Sequence, residues 1–362
     1  MEVAAKRARA GGGSAPDRLS ALPDELIRCV LSFLPSRQAV QTTMLSKRWV
    51  DLWRSVPAIN VDSTDILGTD GCAGWEKIKY FTTNLLMLHN AQFLDVIRLW
   101  LYAIVNYSPH PDTTVDRWVS RVIKHHPVVL EICFCRSLGH NFQIPLVGSA
   151  FCRLKTLKLD SVSLDHCFAE RLNSGCPVLE DLVLDHCRNE FDAIRSDTLK
   201  NVVIHYCSSR TASVLVIKAP CLTSLSLKFP YCFYRDVWSW MVLVQWRSSI
   251  SERDVHKFKA LGTFLQKSPN LEKLTLKDFW YFEGSEREVQ RMNEPRLKAV
   301  RPVVGPIEFP MLENLGTLFL VKCDLRDNFR ILRHFLRSSP NLEMLTVQCC
   351  KLPKCSVGRK GK

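Results

Sequence analysis

No stretch of this chain approaches the roughly 18 consecutive apolar residues that a membrane-spanning helix needs. The densest run, Val237 to Val244, is short and already contains Ser239. The N-terminus lacks the apolar core of a secretory signal; Lys6, Arg7 and Arg9 sit there among Ala and Gly. C-x-x-C is absent, so the spacing of a structural zinc site is missing. Cys133 and Cys135 are one residue apart, and Cys349 and Cys350 are adjacent. The fifteen cysteines are odd in number in a chain of 362 residues. That argues against a disulfide framework and for reduced thiols. G-x-S-x-G, phosphate-cradling Gly loops and H-E-x-x-H are missing too. The pair His125-His126 ends a helical pattern before Pro127, and nothing in the sequence pairs it with a thiol. The absences describe a non-catalytic chain of the cytoplasm and/or nucleus, with no cofactor, no metal and no membrane partner.

What is present is a globular composition, 46% hydrophobic and 23% charged, enough for a sizeable core. The formal charge of +13 suits an acidic partner, either nucleic acid or an acidic protein surface, and it equally suits a solvated surface. Residues 1–18, small, basic and Gly-rich, read as a disordered arm.

Three short helices follow in about 35 residues. Leu22-Pro23-Asp24-Glu25 starts the first, with Pro at the opening position and carboxylates at the positive end of the helix dipole. Leu26, Ile27, Val30, Leu31 and Leu34 make its apolar stripe, and Pro35 stops it. Ser36 is placed to cap a second helix through Met44, with Ala39, Val40 and Met44 inward. Ser46 is placed to cap a third, whose Trp49, Leu52, Trp53 and Val56 recur at i, i+3, i+4, i+7 before Pro57. So small a core is marginal alone, and it has more apolar side chain than its interior can hide. The surplus needs burial against the rest of the chain or a partner.

The series Leu19-Ser20-Ala21-Leu22-Pro23-Asp24-Glu25-Leu26-Ile27, Val30-Leu31-Ser32-Phe33-Leu34, Leu45-Ser46-Lys47-Arg48-Trp49 and Leu52-Trp53 resembles an F-box. It is most similar to those of the plant F-box/leucine-rich-repeat (FBD-like) families. The resemblance implies docking on the Skp adaptor and, through it, on cullin and RING subunits of a ubiquitin ligase. By position, the adaptor-binding residues it implies are Leu22, Pro23, Leu26, Ile27, Leu31, Leu45, Trp49 and Trp53. Some of these pack the helices together instead, and sequence does not separate the two sets.

From residue 94 a pattern L-x-x-L-x-L recurs: Leu94/Ile97/Leu99, Val129/Ile132/Phe134, Leu154/Leu157/Leu159, Leu179/Leu182/Leu184, Leu199/Val202/Ile204 and Leu222/Leu225/Leu227. It resumes at Leu271/Leu274/Leu276, Leu315/Leu318/Leu320 and Leu342/Leu345/Val347. The spacing is that of a leucine-rich repeat. The steps from Leu222 to Leu271 and from Leu271 to Leu315 are about twice the unit, room for a degenerate repeat or an insertion. Cys187, Cys207, Cys323 and Cys350 fall three residues past the last apolar position, where the repeat takes Asn or Cys. They read as buried ladder residues; Ser137, Val162, Pro230 and Phe279 stand at that place in other units, so the expected solenoid is irregular. Helical patterns at Val255–Gln266 and Phe329–Leu336 are each followed by Ser-Pro-Asn-Leu-Glu, similar to the closing motif of the same plant families.

The expected fold is α/β: a short three-helix F-box followed by an irregular leucine-rich-repeat solenoid, parallel strands inside and helices outside. The expected bounds are 19–62 for the F-box, 63–350 for the repeats with an aromatic-rich insertion at 229–254, and 351–362 for a basic tail. With the leucines inward, alternate strand residues line the concave face. Those expected to meet a protein substrate are Lys158, Asp160, Asp181, Asp185, His205, Lys228, Lys273, Lys277, Phe319 and Met344. Mixed polarity favours a protein or peptide over a nucleic-acid backbone. The expected function is a substrate-recognition adaptor of an SCF-type ligase. The residues leave open a non-ligase interaction protein that uses its basic surface on nucleic acid or a scaffold.

Overall fold

The computed structural model describes residues 21–67, 74–101, 114–134, 151–191, 193–209, 216–228, 265, 268–278, 310–323, 325 and 329–352. Helix α1 (Asp24–Ser32) begins after Pro23 with Asp24 and Glu25 in its first turn. It buries Ile27 and Leu31 and turns Leu26 and Val30 to solvent. Helix α2 (Ser36–Gln41) runs into a 3-10 turn at Thr42–Met44, and α3 (Lys47–Arg54) buries Trp49, Leu52 and Trp53. Arg48 fastens α3 to the start of α1, bonding to Asp24 and donating to the Leu22 carbonyl at 2.6 Å. Two expectations fail here. Met44 is exposed, because the chain leaves α2 in a 3-10 turn rather than another α turn. Ser36 is not a cap: Pro35 holds that position, and Ser36 Oγ accepts a hydrogen bond from the Asn60 backbone. Ser46 does sit at the cap of α3, in extended conformation, but its hydroxyl makes no capping bond.

Among the described residues fifteen strands follow, in chain order. They are β1 (Ala58–Asp62), β2 (Val96–Leu101), β3 (Val129–Phe134), β4 (Thr156–Asp160), β5 (Ser163–Leu164), β6 (Asp181–Asp185), β7 (Arg188–Asn189) and β8 (Ala193–Arg195). Then come β9 (Asn201–His205), β10 (Ser208–Ser209), β11 (Val216–Lys218), β12 (Ser224–Lys228), β13 (Lys273–Lys277), β14 (Thr317–Val321) and β15 (Met344–Gln348). Ten of them form one parallel sheet in chain order, β1-β2-β3-β4-β6-β9-β12-β13-β14-β15. Each strand needs its neighbours, since one repeat cannot hide its apolar face alone.

The register makes continuous rows. Ile59, Ile97, Leu130, Leu157, Leu182, Val202, Leu225, Leu274 and Leu318 are aligned partners, all fully buried. The second unit of the pattern is thereby corrected: Ile97 pairs with Leu130 and Leu99 with Ile132, so the reading Val129/Ile132/Phe134 lies two residues too far along. A slip of two preserves the side-chain alternation, which is why the pattern looked sound. The sheet also begins earlier than the leucine pattern, at β1. β12 pairs directly with β13, and β13 with β14, so the two double-length steps are insertions that add no strand to this sheet. The pattern at Val255–Gln266 and the segment 229–254 lie outside the described residues, apart from buried Leu265.

Six strands of the main sheet, β4, β6, β9, β13, β14 and β15, end in a left-handed turn. Ser161, His186, Tyr206, Asp278, Lys322 and Cys349 all have positive φ. Within five of these turns the amide donates to the end of the next strand, as Ser161 does to the Asp185 carbonyl at 2.9 Å and His186 to that of His205 at 2.8 Å. The ladder cysteines close the same corner. Cys187 Sγ donates to Leu159 O and Asp185 O, both at 3.4 Å, and Cys323 Sγ to Leu276 O at 3.4 Å. Cys207 and Cys350 donate to Leu184 O at 3.4 Å and Leu320 O at 3.3 Å. At the opposite end, Asn270, Asn314 and Asn341 send Nδ2 to Pro220 O, Pro269 O and Glu313 O at 2.8–2.9 Å. The Asn of Ser-Pro-Asn-Leu-Glu is therefore a second ladder that stitches successive repeats.

The outer layer mixes α4 (Ser63–Leu67), α5 (Gly74–Leu88), α6 (Thr114–Val122), α7 (Phe168–Gly175) and α8 (Arg330–Ser338) with the short strands β5, β7, β8, β10 and β11. The expected Phe329–Leu336 helix is α8. Among the described residues the sheet has a free edge at β15: Leu345 and Val347 are each 40% exposed, whereas their partners Leu318 and Leu320 are buried. Among the described residues no helix is long and apolar enough to cross a membrane.

Candidate functional site

Two surfaces stand out. The first lies on the N-terminal helices. Of the eight residues implied to bind an adaptor, Ile27, Leu31, Trp49 and Trp53 are buried inside the module. Leu22 is half-buried and packs on the core, and Pro23 is exposed. Leu26 is 52% and Leu45 63% exposed. Three apolar residues that the resemblance did not single out join them: Val30 at 53%, Phe33 at 79% and Met44 at 88%. Leu26, Val30 and Phe33 recur at i, i+4, i+7 and so share one side of α1 and its last turn. That spacing was readable in the sequence; which side faced out was not.

The second surface is the strand face opposite the leucines. All ten residues expected to meet a substrate lie on it. Asp160, Asp185, His205, Lys228 and Lys277 form one aligned row, and Asp181, Lys273 and Met344 lie in another. Lys158 and Phe319 belong to the middle row. Toward β1 the charges neutralise one another: Glu131 lies 3.0 Å from Arg98 and 3.8 Å from Lys158, and the Lys158 ammonium sits over Trp100. In the middle, His186 Nδ1 is 2.7 Å from Asp185 and 3.6 Å from Asp160. These three offer ligand atoms within 4.8 Å of one another, the donor set of a divalent-cation site, yet the grouping is tied together internally by the imidazole. The His186 ring stacks on Tyr206 with centroids 4.6 Å apart, and Lys228 Nζ lies 4.2 Å from the Tyr206 centroid. His205 contacts Ser226 Oγ at 3.0 Å. Burial lowers its pKa; Asp185 opposes the shift, and Lys277 and Lys228 add to it.

One thiol–imidazole pair that the sequence did not reveal is present: Cys152 Sγ is 4.0 Å from His126 Nδ1. Fold alone makes it, because His126 turns left-handed after a 3-10 turn and the next repeat brings up Cys152. Among the described residues no carboxylate orients that ring, so it lacks the third member of a nucleophilic triad.

Comparison with known proteins bears on both surfaces. Residues 19–58 match the F-box domain model, ending at the first residue of β1. Residues 103–245 match the model described as FBD-associated F-box protein At5g56370, LRR repeats. The chain is 32% identical over 376 aligned positions to the MEIOTIC F-BOX protein MOF of Oryza sativa subsp. japonica, covering 96% of this chain and 74% of that one. The chain belongs to the F-box/leucine-rich-repeat family. It is also 30% identical to the Putative FBD-associated F-box protein At5g56440 and to the F-box/FBD/LRR-repeat protein At5g53840 of Arabidopsis thaliana. Those alignments cover 58% and 60% of this chain, and 54% and 51% of the relatives.

For this F-box/leucine-rich-repeat chain the geometry divides the work. The F-box presents an apolar face, and the repeats present a polar one. The family matches contain no catalytic domain.

Proposed function

We propose that the chain is the substrate-recognition adaptor of an SCF-type cullin–RING ubiquitin ligase. Its F-box binds a Skp-family adaptor, and the polar strand face holds a protein substrate. The observation that supports this most is the apolar surface at Leu26, Val30, Phe33, Met44 and Leu45. Such a patch on a small helical module fits a partner interface. Ubiquitin transfer then needs no chemistry from this chain, only a substrate held near the charged ligase. The F-box segment 19–62 is the ligase end, the repeats 63–350 are the substrate end, and the site of action is the cytoplasm or nucleus. Co-purification of the full chain with a Skp adaptor tests the reading. Stoichiometric recovery is the expected result, and its loss on Leu26→Asp combined with Leu45→Asp ties it to this face. Failure of the unaltered, folded chain to retain the adaptor would point to the alternative of a non-ligase interaction protein that uses its basic surface.

A further inference from the structure

The strand face carries a like-charge arrangement that packing does not account for. Lys228 on β12 and Lys277 on β13 are direct cross-strand partners, on strands about 4.8 Å apart. Like charges directly opposite one another in a sheet destabilise it. Lys273 opens the same β13. None of the three ammonium groups has a carboxylate within ion-pair distance among the described residues, whereas Lys158 and Lys200 have theirs. The acidic groups of this face, Asp160 and Asp185, lie on β4 and β6 and are engaged with His186. The nearest imidazole in the row is His205, whose pKa is lowered by burial and, in addition, by Lys277 and Lys228.

Two of the lysines are also presented on aromatic rings. Lys228 Nζ lies over Tyr206 at 4.2 Å, and Lys273 Nζ over Phe319 at 5.4 Å. A ring face holds an ammonium without neutralising it, so the donors stay directed and unpaired. Three such cations with two flat apolar faces form a clamp for an anionic group carried on an apolar or extended backbone.

We infer that the β12–β13 region of the strand face, Lys228, Lys273 and Lys277 with Tyr206 and Phe319, recognises an acidic peptide segment of the substrate protein. The inference rests on the adaptor reading and names its substrate class. The anionic groups are carboxylates or phosphorylated side chains, which share this chemistry. A nucleic acid is the competing occupant. It is disfavoured because the acidic pair Asp160 and Asp185 continues the same row, where a phosphate backbone crossing the strands would be repelled.

The test uses the full chain bound to its Skp adaptor, immobilised and selected against a random twelve-residue peptide library with and without phosphoserine. The same selection is run on Lys228→Glu/Lys277→Glu and on a charge-matched control, Lys218→Glu/Lys351→Glu. We expect Asp, Glu or phosphoserine to be enriched at least several-fold on the unaltered and control complexes, and Lys or Arg on the reversed one. The two library arms tell carboxylate from phosphate. Melting of the single variant Lys277→Glu should be no lower than that of the unaltered chain, because it turns a repulsive pair into an attractive one. Absence of acidic enrichment, enrichment indifferent to the reversal, or tighter lysine-dependent binding of a single-stranded RNA probe would each overturn the inference. Adaptor retention in every sample keeps this outcome separate from failure of the F-box reading.

Discussion

Ser36 Oγ accepts a hydrogen bond from the Asn60 backbone N–H at 2.8 Å, and by that bond α2 holds the first strand of the solenoid. Other bonds at the junction act the same way: Asn90 N–H donates to Arg54 O at 2.9 Å and Asp95 N–H to Pro57 O at 2.7 Å. The F-box is thus docked on the end of the sheet, and it covers the edge that β1 would otherwise leave open. Ser36→Ala leaves the Asn60 amide without its acceptor in a part-buried place. The expected cost is about 1–3 kcal/mol. Chemical denaturation of the full chain measures it, and hydrogen exchange should place the loss at Asn60 and its strand. An unchanged midpoint would mean the junction is held by packing alone.

Residues of the F-box should separate cleanly into two mutational classes. Leu26→Asp, Phe33→Asp or Leu45→Asp should lower adaptor affinity, each anchor contributing about 1–4 kcal/mol if it is central, with little change in stability. Trp49→Ala or Ile27→Ala removes buried side chain and should cost about 2–5 kcal/mol of folding before any binding is considered. Titration calorimetry against the adaptor, paired with thermal melts, resolves the two. Equal affinity for the unaltered chain and Leu26→Asp would remove this face from the interface.

His89 makes the junction acid-sensitive. Its ring is buried, with Nε2 against Val56 O at 2.9 Å, and Nδ1 has no hydrogen-bond partner. Burial lowers its pKa to about 4 from the usual 6.5; the Val56 carbonyl opposes the shift and His125 adds to it. The unfolded chain therefore binds the proton more readily between those two values. The contribution is fully present above pH about 6.5, shrinks as pH falls toward 4, and reaches about 3 kcal/mol in all. Denaturation midpoints taken from pH 7 to 4.5 should fall, and His89→Gln, which keeps a donor for Val56 O, should flatten that fall. A variant with the unaltered slope would assign the acid sensitivity to other groups.

Much of this fold was legible because leucine-rich repeats announce themselves twice, by period and by the ladder position. What was not legible has physical reasons. Ile132 was put in the place of Leu130 because β3 is apolar at alternate and adjacent positions alike, with Cys133 and Phe134 buried as well. The aligned register puts Ile132 opposite Leu159, so the residue three further on in the sequence is Cys135 rather than Ser137, and both lie outside the described residues. β1 was missed because Ala58–Asp62 has only Ile59 and Val61 to show and follows a helix that ends at Pro57. At the F-box, helical spacing could name the stripe but not its outer side, since Leu26 and Ile27 are adjacent and equally apolar.

The free edge at β15 gives a comparison within one molecule. Leu318 and Leu345 are aligned partners in the same row, one buried and the other 40% exposed. Leu318→Ala opens a cavity between two strands and should cost about 2–5 kcal/mol. Leu345→Ala removes a side chain already half in water and should cost clearly less than half as much. Equal losses would show that the edge is covered in solution, by another copy or another part of the chain.

The ladder cysteines supply the most direct check of the register. Cys187 is fully buried, and the neighbouring Cys207 thiol, together with burial, pushes its pKa well above the ordinary thiol value. Burial alone raises Cys176 to about 12. Only the thiolate is nucleophilic, so these groups react slowly. Cys29, Cys152, Cys221 and Cys349 are exposed, and Cys349 is the chain neighbour of half-buried Cys350. Brief alkylation of the native chain followed by peptide mapping should label those four well before Cys176, Cys187 and Cys323; Cys72 and Cys355 lie outside the described residues. Cys187→Asn should retain the fold, because an amide keeps donors for the Leu159 and Asp185 carbonyls that the thiol now serves. Cys187→Lys should not, because its long side chain overfills a corner closed around a thiol and desolvating an ammonium there is costly. Labelling of Cys187 as fast as Cys349 would place the corner in solvent, shift the repeat register, and take the row Asp160, Asp185, His205, Lys228 and Lys277 down with it.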